Sequence, residues 1–298
     1  MNKNNYPSAS LPYKIKGDKL FFTIMLSLCG IYIFLLIGMV LADFRFIDIK
    51  SIKNFFNDPN IISSLKLSIA SCSITTVLCL WVAIPIGYIL SRYEFRGKSI
   101  LDSILDIPIM LPPLVIGICL LFFFSSPFVK YFEEIFINIF KGSFIANWFG
   151  WEPQYWTFNP AFTKLSVIIA QFMVACAFAV RIMKSTFDEM NPRKEEVALT
   201  LGCSKGQSFW LVALPNAKRG IITAATLAWA RSLGEFGPIL IFAGTTRMKT
   251  EVLSTSVYLE FSVGNIAMAT TISMAMIMTA IFINIIMRQF GGIKLSHD

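Results

Sequence analysis

Arg231 and Glu235 stand four residues apart inside the otherwise apolar run from Gly220 to Gly244. On a helix that spacing puts both side chains on one face. Arg231 lies about 16 Å of helix beyond Gly220, near the middle of a bilayer, where an unpaired charge costs several kcal/mol and turns toward the protein interior and a partner. Two roles fit such a pair. It can be an internal ion pair that fixes helix packing, or Arg231 can shape the potential of an anion pathway while Glu235 holds it in place. Gly234, Phe236, Gly237 and Pro238 surround the glutamate, and the glycines with the proline loosen the helix where a gate could bend. Pro108, Pro112 and Pro113 can do the same in the run Ile107–Phe124, although a helix kink can equally serve packing alone.

Other chemistry is poorly provided for. His297 is the only histidine and sits one residue from the C-terminus, which removes His-based triads and most zinc sites. Cys29, Cys72, Cys79, Cys119, Cys176 and Cys203 are scattered without a CxxC or metal spacing, and five of them fall inside apolar runs, where they read as small buried hydrophobes. The stretch "RGKS" at Arg96–Ser99 looks like the end of a phosphate-binding loop, but the first glycine of that motif would fall on Arg92 and no strand precedes it. No catalytic residue, metal site or cofactor is expected, so nucleotide energy would have to enter through another subunit.

The elements that position these groups follow from composition. The 298 residues are 55% hydrophobic and only 15% charged, with a mean hydropathy of +0.66, which is too apolar for an ordinary soluble domain and implies an all-α polytopic membrane protein. Leu20–Ala42, Leu67–Leu90 and Gly264–Met287 are uncharged and long enough to cross a core of roughly 30 Å. Ile107–Phe124, Ala161–Val180 and Gly220–Gly244 are shorter or interrupted, and together the runs predict six transmembrane helices. Leu20–Ala42 is too long for the apolar core of a signal peptide and reads as a retained first helix. With the N-terminus inside, the inner segments carry 16 Lys and Arg against 7 in the outer segments, so both termini are expected on the cytoplasmic side. That asymmetry accounts for most of the +8 formal charge and leaves no basic face for nucleic acid. The outer segment 125–160 holds "WFGWEPQYW", with Trp148, Trp151, Tyr155 and Trp156 close together, either an interfacial anchor or a landing surface for a partner outside the membrane.

Between two apolar runs lies a polar stretch, "EEVALTLGCSKGQSFWLVALP", from Glu195 to Pro215. Asn191 and Pro192 make an N-cap and first-turn pair, and Gly202 a terminator. Ser204 with Gln207 forms a capping box for a second short helix that is expected to end before Pro215. On the first helix the spacing places Val197, Ala198 and Leu201 on one face, with Arg193, Lys194 and Glu196 elsewhere. Such a face suits the groove of a soluble partner, the alternative being an interfacial loop with no partner.

This stretch resembles the cytoplasmic signature of bacterial ABC importer permeases, E-A-A-x3-G-x9-I-x-L-P. Glu196, Val197 and Ala198 match its first three positions, Gly202 its glycine, and Val212, Leu214 and Pro215 its close, with Val197 for Ala and Val212 for Ile as departures. The resemblance implies a loop, residues 186–215, that seats through residues including Leu201 on an ATPase subunit. "LDSILDIPIMLPPLVIG" (Leu101–Gly117) and "ARSLGEFGPILIFAG" (Ala230–Gly244) are similar to molybdate and sulfate permeases, whose fifth helix carries A-R-x-x-G-E-F-G, although Pro238 stands where many relatives have a small residue. The likeness covers roughly Leu65–Met287. It implies a type I permease core in a bacterial inner membrane, two ATP-binding subunits, a second permease copy or paralogue, an extracytoplasmic substrate-binding protein and surrounding lipid, with molybdate, tungstate or sulfate imported by alternating access. The corresponding divisions are a tail at 1–19, a first helix and outer loop at 20–63, the permease domain at 64–288 and a tail at 289–298. Import of thiamine, ferric iron or phosphonate is the alternative within the family. An ion-coupled transporter would need more intramembrane acids than Glu235, and a membrane enzyme lacks a reactive constellation.

Overall fold

The computed structural model describes residues 19–131 and 160–290, and among them all regular structure is helical. The tails, the Trp148–Trp156 cluster and His297 lie outside the described residues. Helix α1 (Lys19–Phe44) is a unit by itself, the chain dividing between Phe46 and Ile47. None of its residues is buried by protein, and large side chains such as Leu20 and Phe34 are three-quarters exposed. So much uncovered apolar surface on one long helix suits hydrocarbon, where a helix also satisfies its own backbone.

The second unit begins with a short helix, α2 (Ile49–Asn57), inside the segment expected to be an outer loop. Asp58 then starts the long helix α3 (Pro59–Arg92), its carboxylate accepting the Asn60 N–H at 2.9 Å with Pro59 in the first turn. The chain continues through α4 (Lys98–Met110), α5 (Pro113–Ser125) and α6 (Lys164–Glu189), the last opened by a Thr163–Ser166 capping box. After two short helices, α7 (Arg193–Thr200) and α8 (Lys205–Ser208), a π turn at Phe209–Ala213 leads into α9 (Leu214–Asn216) and α10 (Lys218–Leu233). A second π turn, Ile239–Ala243, precedes α11 (Leu253–Ser262) and α12 (Ile266–Phe290).

The core is the bundle of α3, α6 and α10. Its buried faces are made of small residues, Ser64, Ser68, Ser71, Thr75, Cys79, Ala83 and Gly87 on α3 against alanines such as Ala175 and Ala179 of α6 and Ala224 and Ala228 of α10. Recurrence every three to four residues aligns them on one stripe. In lipid, where apolar side chains gain nothing by leaving the solvent, such stripes let backbones approach and dispersion do the work. At Gly87 the approach is complete: a Cβ there would stand 2.7 Å from the Met183 Cβ and 2.8 Å from the Lys184 nitrogen. Gln171 supplies polar glue, accepting from Thr75 at 3.3 Å and donating to the Ser232 carbonyl at 3.1 Å. The Arg92-proximal flank of α4 is tied to α6 by charge, Arg181 meeting Asp102 and Asp106 while Lys184 reaches Asp102 at 2.7 Å.

The membrane elements differ from the six runs expected. Among the described residues, four helices are long and apolar enough to cross a membrane, α1, α3, α6 and residues 266–287 of α12. The run Ile107–Phe124 is not one helix: α4 and α5 meet at 111° across Leu111 and Pro112, so this pair is a broken span or a re-entrant loop. The cause is local, because Pro112 and Pro113 remove two successive backbone donors and push the preceding residue out of the helical region; Leu111 has ψ 140°. The run Gly220–Gly244 is also interrupted, its α-helix ending at Leu233. Among the cysteines only Cys72 and Cys79 are buried, whereas Cys29 and Cys119 are exposed, at outward positions on α1 and α5, and Cys176 and Cys203 are intermediate.

Candidate functional site

The polar stretch folds as its caps dictate. Asn191 accepts the Arg193 N–H at 3.0 Å through its side chain, opening α7. The helix closes in a Schellman motif, with Gly202 N–H bonded to the Leu199 carbonyl and Cys203 N–H to the Ala198 carbonyl, both at 3.0 Å. Gly202 has φ +92° and open space around it, so the glycine is required by conformation and not by crowding; a side chain there costs about 1–2 kcal/mol. Ser204 and Gln207 form the expected capping box.

Two expectations about this stretch are corrected. Val197, Ala198 and Leu201 do not share a face: Ala198 is buried at 8% exposure, whereas Val197 and Leu201 point outward at 57% and 81%. The inward positions of α7 are Glu195 and Ala198, three residues apart, so the apolar side chains offered to solvent are Val197, Leu199 and Leu201, with Trp210 and Leu211 exposed further on. The second helix, α8, ends at Ser208, but the helical path does not stop before Pro215: it runs on through the π turn into α9. In the π turn the Leu214 N–H bonds five residues back to Phe209, a register change that lets the chain carry Pro215 within the first turn of α9. Val212 and Leu214 are half-buried, and Glu196 and Pro215 exposed.

Glu195 is the residue whose importance spacing did not reveal. Its carboxylate accepts from the Tyr88 hydroxyl at 2.7 Å and from Arg92 Nε at 2.9 Å, and its carbonyl from the Ser208 hydroxyl at 3.3 Å. The side chains of Arg92 and Glu195 are only 13% and 10% exposed, so removing either would leave a charge uncompensated, at a cost of roughly 3–5 kcal/mol. A signal was present in the three-residue step from Glu195 to Ala198, but its partners come from α3, about a hundred positions earlier, which no local pattern could supply.

The Arg231–Glu235 pair is formed, Nη1 to Oε2 at 2.9 Å, with 31% and 2% of the side chains exposed. It is held by charge without an aligned hydrogen bond to that oxygen. The Arg231 guanidinium also lies 5.7 Å from the centroid of the Phe178 ring, a cation–π distance. Between the two charged residues the helix ends, and the freed carbonyls find side-chain partners: Ser232 accepts from Gln171 at 3.1 Å, and Glu235 from the Ser254 hydroxyl at 2.7 Å. Gly234 is exposed, while Gly237 is buried and Phe236 packs its ring 5.2 Å from Tyr258.

The two segments that sequence marks separately as loosened are in contact. A Cβ on Gly237 would lie 3.0 Å from the Leu114 nitrogen and 3.1 Å from the Pro113 Cβ, and one on Gly117 would lie 2.9 Å from the Pro238 Cα. The start of α5 thus rests on the backbone of the break after α10. Pro112 and Pro113 themselves remain exposed on the other side. Gly234 differs from Gly237: its φ is −81° and a Cβ would find nothing closer than 3.8 Å.

A small-residue helical bundle, a broken charged helix and a capped polar loop together define a membrane permease of the ABC importer class. Residues 83–291 match the family described as binding-protein-dependent transport system inner membrane component, and the chain belongs to that family. It is 28% identical over 244 residues to the sulfate transport system permease protein CysT of Salmonella typhimurium, covering 80% of this chain and 81% of the relative. It is 30% identical to the probable transport system permease protein NifC of Clostridium pasteurianum, covering 85% and 82%. With the molybdate/tungstate transport system permease protein WtpB of Pyrococcus abyssi it shares 32% over 66% of each chain. A chain of a bacterial alginate ABC transporter, crystallised with an alginate-bound periplasmic protein, superposes with a TM-score of 0.68 at 17% identity, covering 92% and 93% of the two chains. The fold is therefore that of ABC permeases, and the protein is a multi-pass membrane component of a transport system.

Proposed function

We propose that this chain is the permease subunit of an ATP-driven importer for a tetrahedral oxyanion, sulfate, molybdate or tungstate, in a bacterial inner membrane with both termini cytoplasmic. Two such permeases, copies or paralogues, enclose one pathway. Two ATPase subunits seat on the loop Asn191–Pro215, using Glu196, Val197, Leu201, Trp210 and Leu211 at the surface, while Ala198, Gly202, Val212, Leu214 and Pro215 set its shape. Closure of the ATPases on ATP opens the pathway outward, a binding protein delivers the anion, and release inward follows hydrolysis. Permease domain, loop and tails retain the divisions 64–288, 186–215, 1–19 and 289–298.

The observation that carries this reading is a conformationally required Gly202 at the end of a capped polar helix whose exposed side chains include the apolar Val197 and Leu199, with Leu201 exposed just beyond it. Solvent does not select exposed apolar side chains on a polar loop, but a partner surface does. The anion class is supported by the names of the relatives and by Arg231, which keeps nearly a third of its side chain accessible although Glu235 balances its charge. Arg231, Gly234, Glu235, Phe236, Gly237, Pro112 and Pro113 form the pathway and gate. A cation at the edge of a broken helix attracts an anion, and its buried partner keeps the binding weak enough for release.

The test is reconstitution with the ATPase and binding protein encoded beside this chain, recording ATP hydrolysis with molybdate, tungstate, sulfate or thiamine. Stimulation by an oxyanion that Gly202→Val abolishes is the expected result. Stimulation by thiamine alone would retain the importer and remove the oxyanion; failure of any ATPase to bind would remove the role of the loop.

A further inference from the structure

We propose that Glu195 is a positioning residue which, through Arg92 and Tyr88, makes the ATPase-seating loop one rigid body with the cytoplasmic end of α3, so that motion of the loop is delivered to the bundle. The inference rests on the reading of Asn191–Pro215 as that seat. The geometry behind it is a node in which five elements, α3, α6, α7, α8 and the first π turn, meet. Arg92, the last residue of α3, donates to Glu195 on α7 at 2.9 Å and to the Met190 carbonyl just after α6 at 3.1 Å. Tyr88, one turn earlier, donates to the second oxygen of Glu195 at 2.7 Å, while its ring meets Phe187 of α6 at 5.3 Å and Phe209 of the π turn at 4.7 Å. Ser208 at the end of α8 bonds the Glu195 carbonyl.

Only Glu195 and Ala198 of α7 are buried, and an open pocket of about 230 Å³ lined by Tyr88, Arg92, Tyr93, Glu195, Lys205 and Ser208 lies beside the joint. With so little of α7 packed against the bundle, the directional bonds of one carboxylate set the angle of the loop. An ionised carboxylate is suited to the task because it accepts from two donors at once and holds each more strongly than a neutral acceptor would. Glu196, its exposed neighbour, has no such partners in α3 and belongs to the outer surface.

The experiment uses the full complex of permease, ATPase and binding protein in proteoliposomes, with three readouts: ATPase subunit retained on the purified permease, ATP hydrolysed, and sulfate or molybdate taken up per ATP. Glu195→Gln and Arg92→Met are expected to retain the ATPase subunit while uptake per ATP falls about three- to tenfold, the range produced by changes along a coupling route. Tyr88→Phe keeps the ring stack and deletes one hydroxyl, so it tests the node even where a charge change impairs folding, with a smaller fall of the same kind. The exchanged pair Glu195→Arg with Arg92→Glu is expected to recover part of the uptake per ATP. Unchanged stoichiometry in Glu195→Gln and Tyr88→Phe would overturn the proposal. Loss of ATPase retention in Glu195→Gln with uptake per ATP intact in the remaining complexes would also overturn it, by making Glu195 part of the seat. Failure of the unaltered permease to hold any ATPase would instead remove the reading on which the proposal rests, and the proposal with it.

Discussion

The loop around Glu195 and the break around Glu235 each contain a buried glutamate bound to an arginine, yet they are built in opposite ways. At the loop, Glu195 is bonded by Arg92 and Tyr88 beside a cavity. At the break, Glu235 is met by Arg231 alone, without an aligned hydrogen bond to Oε2, and the surrounding order comes from backbones in contact at Gly117 and Gly237. Directional bonds from one carboxylate transmit an angle without fixing every neighbour. Close backbone contact fixes the neighbours and leaves the charge loosely held, which suits a cation that must meet a passing anion.

The comparison can be broken most severely at Gly202. Gly202→Val forces a β-branched residue into φ +92°, where such residues are outliers, and is expected to abolish ATPase-coupled uptake while the bundle stays folded, as checked by ATPase retention and circular dichroism. Next in size is Arg231→Met. It strands the buried Glu235 carboxylate and is expected to cost roughly 3–5 kcal/mol, read as a lowered midpoint in thermal unfolding of the detergent-solubilised protein. The double variant with Glu235→Gln should regain that stability but not anion uptake; if it regains both, the pair serves packing only.

A smaller effect separates the glycines. Gly117→Ala presses a methyl group onto the Pro238 backbone and is expected to destabilise by about 1–3 kcal/mol, slowing uptake. Gly234→Ala meets open space and should be near neutral in the unfolding midpoint; an equal loss of stability in the two variants would show that helix loosening at Gly234, and not contact at Gly117, matters. The smallest effect concerns Glu251, in the segment after the break. Burial pushes its carboxyl above the ordinary carboxylate range, opposed by the Ser256 hydroxyl and Arg247 and reinforced by Glu260 and Asp58. Its Oε2 is buried without a partner. Because the folded state disfavours the charged form, the stability due to this group is complete below the ordinary carboxylate value near 4.3 and is lost as pH rises through the folded value. Glu251→Gln should therefore raise the unfolding midpoint by roughly 2–4 °C at pH 8 and leave it unchanged near pH 4.

What was legible in the chain was local. The Asn191 cap, the Ser204–Gln207 box, the Gly202 terminator and the four-residue step from Arg231 to Glu235 all depend on neighbours within a turn or two, and all are present. Hydropathy located the long helices, and prolines and glycines marked where two runs could bend, but composition does not say that the chain turns by 111° at Pro112 or that a helix ends at Leu233. The inward turn of Ala198 and the capture of Glu195 by α3 depended on contacts between segments about a hundred residues apart. The meeting of Gly117 with Pro238 was equally hidden, since the two lie about 120 residues apart in separate apolar runs.

The most direct measurement is uptake of labelled sulfate and molybdate into proteoliposomes holding this permease with its ATPase and binding protein, with and without ATP, beside the Gly202→Val variant. The account predicts ATP-dependent accumulation of at least one oxyanion by the unaltered complex and none by the variant. Accumulation that proceeds without ATP, or that Gly202→Val leaves intact, would contradict it.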